Sequence, residues 1–233
     1  MRKRIGINIV YGIGIGLFLC SFSEILLENI LIGPGWSETS DVFDLYGMIC
    51  WLLIYSPVWG INFIFLEEDM NLSDLVVARY RTAAKWWGQC ILRCVIGNGC
   101  CYAALYITLA GLAGISGQMG KCCVMIILHG LLLLGVGVWI KIVTKRMMIS
   151  AITLTSLEVC AKLLIVWHIL VPKWSVFSWG MYCYNSVSYG DVGVCFPLAV
   201  VCEIAVFISC LMIPKISKKS LLERIRTKDG YTY

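Results

Sequence analysis

The chain has 233 residues, 60% of them hydrophobic and only 14% charged, with a net charge of +5. Soluble domains carry about one quarter charged residues, and a mean hydropathy of +0.84 leaves too little polar surface to face water. A water-soluble domain is excluded, no feature points to nucleic acid, and the solvent for most of the chain is lipid.

A spanning helix needs about 20 mostly apolar residues. Six segments meet that need: 5–27, 45–66, 90–112, 122–140, 147–171 and 194–213. The first is too long for a cleaved leader, and FSEILLEN follows where small residues would mark cleavage. Within it, Gly12 and Gly16 form a small-xxx-small face suited to close helix packing. The loop after it is acidic, with Glu24, Glu28, Glu38, Asp41 and Asp44.

After the second span comes NLSDLVVARYRTAAKWWGQ, 71–89. Asn71 and Ser73 offer capping oxygens and Asp74 lies in the first turn, a helix-start pattern that suits the helix dipole. At 100° per residue, Leu72, Leu75, Val76, Tyr80, Ala83, Trp86 and Trp87 share one arc, and Asp74, Arg81 and Lys85 the other. Arg79 projects into the apolar arc. An amphipathic helix of this kind suits either the headgroup layer, with its Trp pair at the bilayer edge, or a docked partner.

Between the third and fourth spans, glycines recur every third residue from Gly111 to Gly120 and mark a turn. ISGQMGKC, 115–122, lacks the first glycine and the Ser/Thr of a P-loop, so the chain holds no nucleotide site of its own. Gly114-Ile115-Ser116-Gly117 has the GxSG form of an intramembrane serine hydrolase, with His129 and His168 as the available bases. After Glu67–Glu68, Leu72 stands where the EExxxR motif of membrane proteases needs arginine.

Three ionisable residues fall inside spans. Glu158 and Lys162 are one turn apart on the fifth and are expected to pair; Glu203 lies midway along the sixth. Charges at depth mark a pathway or a buried network, with Lys162 as the base that serves both carboxylates. Between these spans, WSVFSWGMYCYNSVSYGDVG is either an interfacial aromatic anchor or a re-entrant element. The 13 cysteines sit mostly in apolar runs, and the pairs Cys100–Cys101 and Cys122–Cys123 lack zinc-site spacing, so packing is expected and no metal.

Basic residues set the orientation. With the N-terminus in the cytoplasm, all but three of the 19 bases lie inside; Lys121 and Lys173 lie outside, and Lys162 within a span. The expected fold is therefore all-α, a polytopic membrane protein with six transmembrane helices in 1–213 and both termini cytoplasmic. An amphipathic helix at about 67–89 joins spans two and three, and 214–233 is a basic cytoplasmic tail at the inner leaflet.

This topology, together with ARYRTAAKWW, resembles small bacterial ABC-2-type permeases, including those of lantibiotic-immunity transporters. The resemblance implies a membrane-spanning exporter subunit, paired with itself or a second permease, that is not itself an enzyme. Its connection between spans two and three would be the coupling helix on a separate ATPase subunit, which holds ATP and magnesium. Asp74, Arg79, Arg81, Lys85, Trp86 and Trp87 would then form the ATPase contact. A stand-alone proton-coupled carrier using Glu158, Lys162 and Glu203 is the main alternative, and a hydrolase using Ser116 a further one.

Overall fold

A computed structural model describes residues 2–22, 27, 30, 31, 33, 45–71, 83–114, 117–144, 146–181 and 195–216. These residues are helical almost throughout, with no strand among them. The helices are α1 (Arg2–Cys20), α2 (Leu45–Asn71), α3 (Ala83–Leu112), α4 (Gly117–Thr144), α5 (Met147–Val166) and α6 (Phe196–Ile216). Two 3-10 turns, Pro172–Trp174 and Val176–Ser178, lie between α5 and α6. Five helices, α1 to α5, are long and apolar enough to cross a membrane; the described apolar part of α6, Phe196–Ser209, is shorter. The protein is thus an all-helical membrane protein by length and composition.

Neighbouring helices alternate in direction, and specific contacts fix this. Tyr11 of α1 donates to the Leu53 carbonyl of α2 while Arg4 reaches Asp69, so α1 and α2 are antiparallel. Against α3, by contrast, Gly12 meets Cys101 and Gly16 meets Thr108, a parallel crossing. Ser150 donates to the Gly137 carbonyl and Glu158 meets His129, so α4 and α5 are antiparallel. Met125 packs with Ala199 and His129 meets Glu203, so α4 and α6 are parallel. The start of α1 and the ends of α2, α4 and α6 therefore share one end of the bundle.

The α1–α3 crossing is close and depends on missing side chains. A Cβ on Gly12 would strike the Cys101 carbonyl oxygen, and one on Gly16 would come within 2.8 Å of the Thr108 Cβ. Where lipid surrounds helices, close backbone approach replaces the hydrophobic effect as the cause of association. One turn toward the end of the bundle that holds Arg4, the buried amides of Asn8 and Asn62 converge on Gly97; each donates to its own helix, to Arg4 O and Val58 O. Most of the remaining described core is one apolar cluster that includes Trp51, Tyr55, Phe63, Tyr102 and Leu132 to Leu134, with Met125 and Ala199 in a smaller one.

Several expected boundaries shift. The first helix ends at Cys20 rather than 27, where Ser21 turns back to the Phe18 carbonyl. The fifth ends at Val166 rather than 171, because His168 takes a positive φ of 54° and Pro172 cannot continue a helix. The described flanks of the expected 67–89 elbow belong to the long helices: 67–71 close α2 and 83–89 open α3. Residues 72–82, which carry Asp74, Arg79 and Arg81, lie outside the described residues, as do 217–233.

Candidate functional site

Two polar groupings lie within the apolar bundle. The first is at the end where α2 stops and α3 starts. Arg4 of α1 donates to Asp69 at 2.6 Å and to Glu68 at 3.3 Å, and Arg93 of α3 donates to the other Asp69 oxygen at 3.3 Å. Lys141 of α4 lies 3.7 Å from Glu67 and donates to the Phe63 carbonyl at 3.4 Å. Asp69 and Lys141 are buried, whereas Glu68 is exposed. The acids that close α2 thus tie together four helices at the root of 72–82.

On the other flank of 72–82, Lys85 is exposed and Trp86 and Trp87 are 5% and 7% exposed. The expectation placed the Trp pair at the bilayer edge. The structure shows the pair buried in the apolar cluster, in the first turns of α3 and close to Cys90 and Ile91 in sequence.

The second grouping is at depth. His129 lies 12 residues into α4, about 18 Å from the start of that helix at 1.5 Å per residue and about 22 Å from its end. Its Nε2 is 2.8 Å from Glu158 Oε1 of α5, and its Nδ1 is 3.2 Å from Glu203 Oε1 of α6. The His129 and Glu203 side chains have no exposed surface and that of Glu158 has 3%. Tyr55 stands edge-on to the imidazole at 5.3 Å between ring centres, with Trp51 beside it at 6.1 Å. The second oxygens of both carboxylates, the Tyr55 hydroxyl and the Trp51 indole N–H are buried without a hydrogen-bond partner among the described residues.

Sequence reasoning brought Glu158 and Glu203 into one network but assigned the base to Lys162. In the structure, His129 is the base between them. Lys162 is buried one turn further along α5, at 2% exposed. The signal for His129 was its position within the apolar run 122–140, where an ionisable residue is costly. Local i,i+4 pairing outweighed it, since nothing in the sequence shows which residues 29 and 74 positions away will face one helix.

The segment that follows α5 seals this site from the other end. Trp167 and Trp174 are exposed, yet Ser175, Ser178, Gly180 and Met181 are buried. Gly180 packs against the His129 ring so closely that a Cβ there would overlap Cγ, Nδ1 and Cβ of the histidine. Glu158 lies 8 residues, about 12 Å, before the end of α5, so the chain returns by roughly that distance to touch His129. Residues 182–194 lie outside the described residues, and the described part, 172–181, folds back onto the bundle at His129. Its polar groups are satisfied internally: Ser178 Oγ lies 2.7 Å from the Pro172 carbonyl and 2.8 Å from that of Ser175, and Trp179 donates to the Lys173 carbonyl.

Ser116 lies outside the described residues. Its neighbour Gly117 begins α4, about 18 Å along the axis from His129, whose two nitrogens already face carboxylates. Cys50, Cys90, Cys94, Cys101 and Cys123 are buried free thiols, and no cluster fit to bind a metal ion occurs among the described residues. Comparison with protein-family profiles, curated proteins and solved structures gave no match.

Proposed function

We propose that this chain is the membrane-spanning permease subunit of an ATP-driven exporter of the ABC-2 type, with six spans and both termini in the cytoplasm of a bacterial cell. It works beside a second permease subunit and a separate ATPase that binds ATP and magnesium. A peptide antibiotic exported for self-immunity is the substrate class that the sequence resemblance suggests. The observation that carries this reading is how the last turn of α2 is held. Asp69, three residues before 72, is paired with Arg4 and Arg93, and Glu67 with Lys141, so a push on the end of α2 reaches α1 to α4 together. A headgroup-floating helix needs no such root. Co-purification in detergent tests the reading: an ATPase chain is expected to accompany the protein, and Arg81→Glu with Lys85→Glu is expected to release it. A protein that purifies alone and works with both charges reversed is not such a subunit.

A second reading is favoured by one specific observation, the His129–Glu158–Glu203 network at mid-depth. Buried ionisable groups at the centre of a helical bundle are the working parts of proton-coupled carriers. In this reading the chain acts alone and couples substrate movement to a proton gradient. Uptake or efflux in vesicles driven by a pH step, without ATP, is the expected result; dependence on ATP alone removes this reading.

A further inference from the structure

We propose that His129 is a proton relay between Glu203 and Glu158, the carboxylates on either edge of its ring. The relay deepens the proton-coupled reading given above and rests on it for its purpose, while its chemistry stands on the geometry alone.

Both ring nitrogens are engaged, on opposite edges, by carboxylates from two different helices. A neutral imidazole has one N–H, so only one of the two contacts can take its proton from the ring. The other must take it from a protonated carboxyl, or the ring must carry two protons between two carboxylates. Either way the three side chains share two protons and one negative charge. The three arrangements differ only by proton positions along contacts already made.

The relay step balances on these groups. Glu203 gives its Oε1 proton to Nδ1 while Nε2 gives its own to Glu158 Oε1. One O–H and one N–H bond break, one of each forms, and no electron changes hands. The negative charge moves from Glu158 to Glu203. The ring regains its first tautomer when both transfers reverse, Glu158 Oε1 returning a proton to Nε2 and Nδ1 returning its own to Glu203 Oε1; Gly180 presents no side chain against the ring. The second oxygen of each glutamate is buried and has no partner among the described residues, which leaves each carboxyl one face to receive or release a proton. Neither the His129 nor the Glu203 side chain exposes any surface.

The groups that face His129 bear on its titration. Tyr55 comes from α2, and Tyr102 from α3 packs on Gly130, next to the histidine. Glu158 comes from α5 with Lys162 one turn beyond, and Glu203 from α6. The segment after α5 presents Gly180, with no titratable side chain.

The sequence has two histidines, His129 and His168, so a single substitution isolates the probe. His168→Asn suits its exposed, positive-φ position. The full chain with that change, labelled with nitrogen-15 histidine, is placed in phosphatidylethanolamine–phosphatidylglycerol bilayers and read by solid-state NMR from about pH 5 to about pH 8. The expected spectrum shows proton occupancy on both His129 nitrogens, doubly protonated or averaged. Glu203→Gln is expected to leave the proton on Nε2, facing the remaining carboxylate, and Glu158→Gln to leave it on Nδ1. Opposite tautomers in the two variants show that either carboxylate can hold the ring proton, and double occupancy or averaging in the chain that keeps both glutamates is what a merely structural contact would not give. One fixed neutral tautomer at every pH, unchanged by either glutamine, overturns the proposal, and the His168→Asn chain alone supplies the decisive titration if a glutamine variant fails to fold. A relay seen here with no pH-driven transport in vesicles refutes the carrier reading only.

Discussion

Replacing Gly12 by alanine tests how this bundle is held together. The added Cβ would strike the Cys101 carbonyl oxygen and come within 3.0 Å of the Cys101 carbonyl carbon and 3.1 Å of the Ala104 Cβ. Two of those atoms are backbone of another helix, so no rotamer change relieves the overlap and α1 must move off α3. Overpacking costs about 1–3 kcal/mol, and rigid backbone puts this site near 3. Alanine returns about 1 kcal/mol through helix propensity, for a net loss of about 2 kcal/mol. That is roughly a thirtyfold shift in the folded fraction. Gly14→Ala is the control on the same helix: no atom lies within 4 Å of its Cβ, so it is expected to be neutral or stabilising by about 1 kcal/mol. Buried Cys90, Cys94 and Cys101 make a thiol-reactive fluorophore a direct reporter of unfolding in detergent. Gly12→Ala should melt clearly below wild type and Gly14→Ala at or above it. If the two melt together, close backbone approach is not what joins α1 to α3.

Asp69→Asn should destabilise by about 2–3 kcal/mol in the same assay, since it leaves Arg4 and Arg93 without their shared, buried acid, whereas Glu68→Gln, at an exposed carboxylate, should stay within about 0.5 kcal/mol of wild type. Equal effects would refute the role given to Asp69. Gly180→Ala should displace either the segment after α5 or the His129 ring, and the nitrogen-15 signal of Nδ1 should then move while the fold is retained; an unchanged signal would show that the segment yields freely. A fluorophosphonate probe should leave the wild-type chain unlabelled, and labelling that disappears in Ser116→Ala would revive the hydrolase reading.

The fold class was legible because its cause is local. Apolar runs of spanning length, a basic end to alternate loops and a turn rich in glycine each follow from neighbouring residues, and α2 to α5 fall close to the expected segments. Gly12 and Gly16 were also legible, since a small-xxx-small face states its purpose in spacing alone. What the sequence hid was mutual placement. Glu158 has a lysine one turn away and a histidine 29 residues away, and the near partner was the natural choice by helical spacing; the helix packing decided for the far one. The burial of the Trp86–Trp87 pair was hidden for the same reason. Its composition suits an interface, while its burial depends on where α3 begins relative to α1 and α2.

The two polar groupings are joined by the same pair of helices, and this constrains how the protein can work. On α4, His129 and Lys141 are 12 residues apart; on α2, so are Tyr55 and Glu67, giving about 18 Å in each case. Between them Phe63 packs on Gly137 closely enough that a Cβ there would enter its ring, and Lys141 holds the Phe63 carbonyl. Parallel helices that touch this closely move as one body rather than sliding, because ring and glycine interlock. A displacement imposed at the root of 72–82 through Asp69 and Glu67 is thereby delivered to the Tyr55–His129 contact. Tilting α2 with α4 against α5 and α6 would alter the 2.8 Å and 3.2 Å contacts of His129, since Glu158 and Glu203 stand on helices outside that pair. The exporter and carrier readings therefore share one mechanical element and differ in which end is driven: an ATPase pushes at the root, while a proton acts at His129.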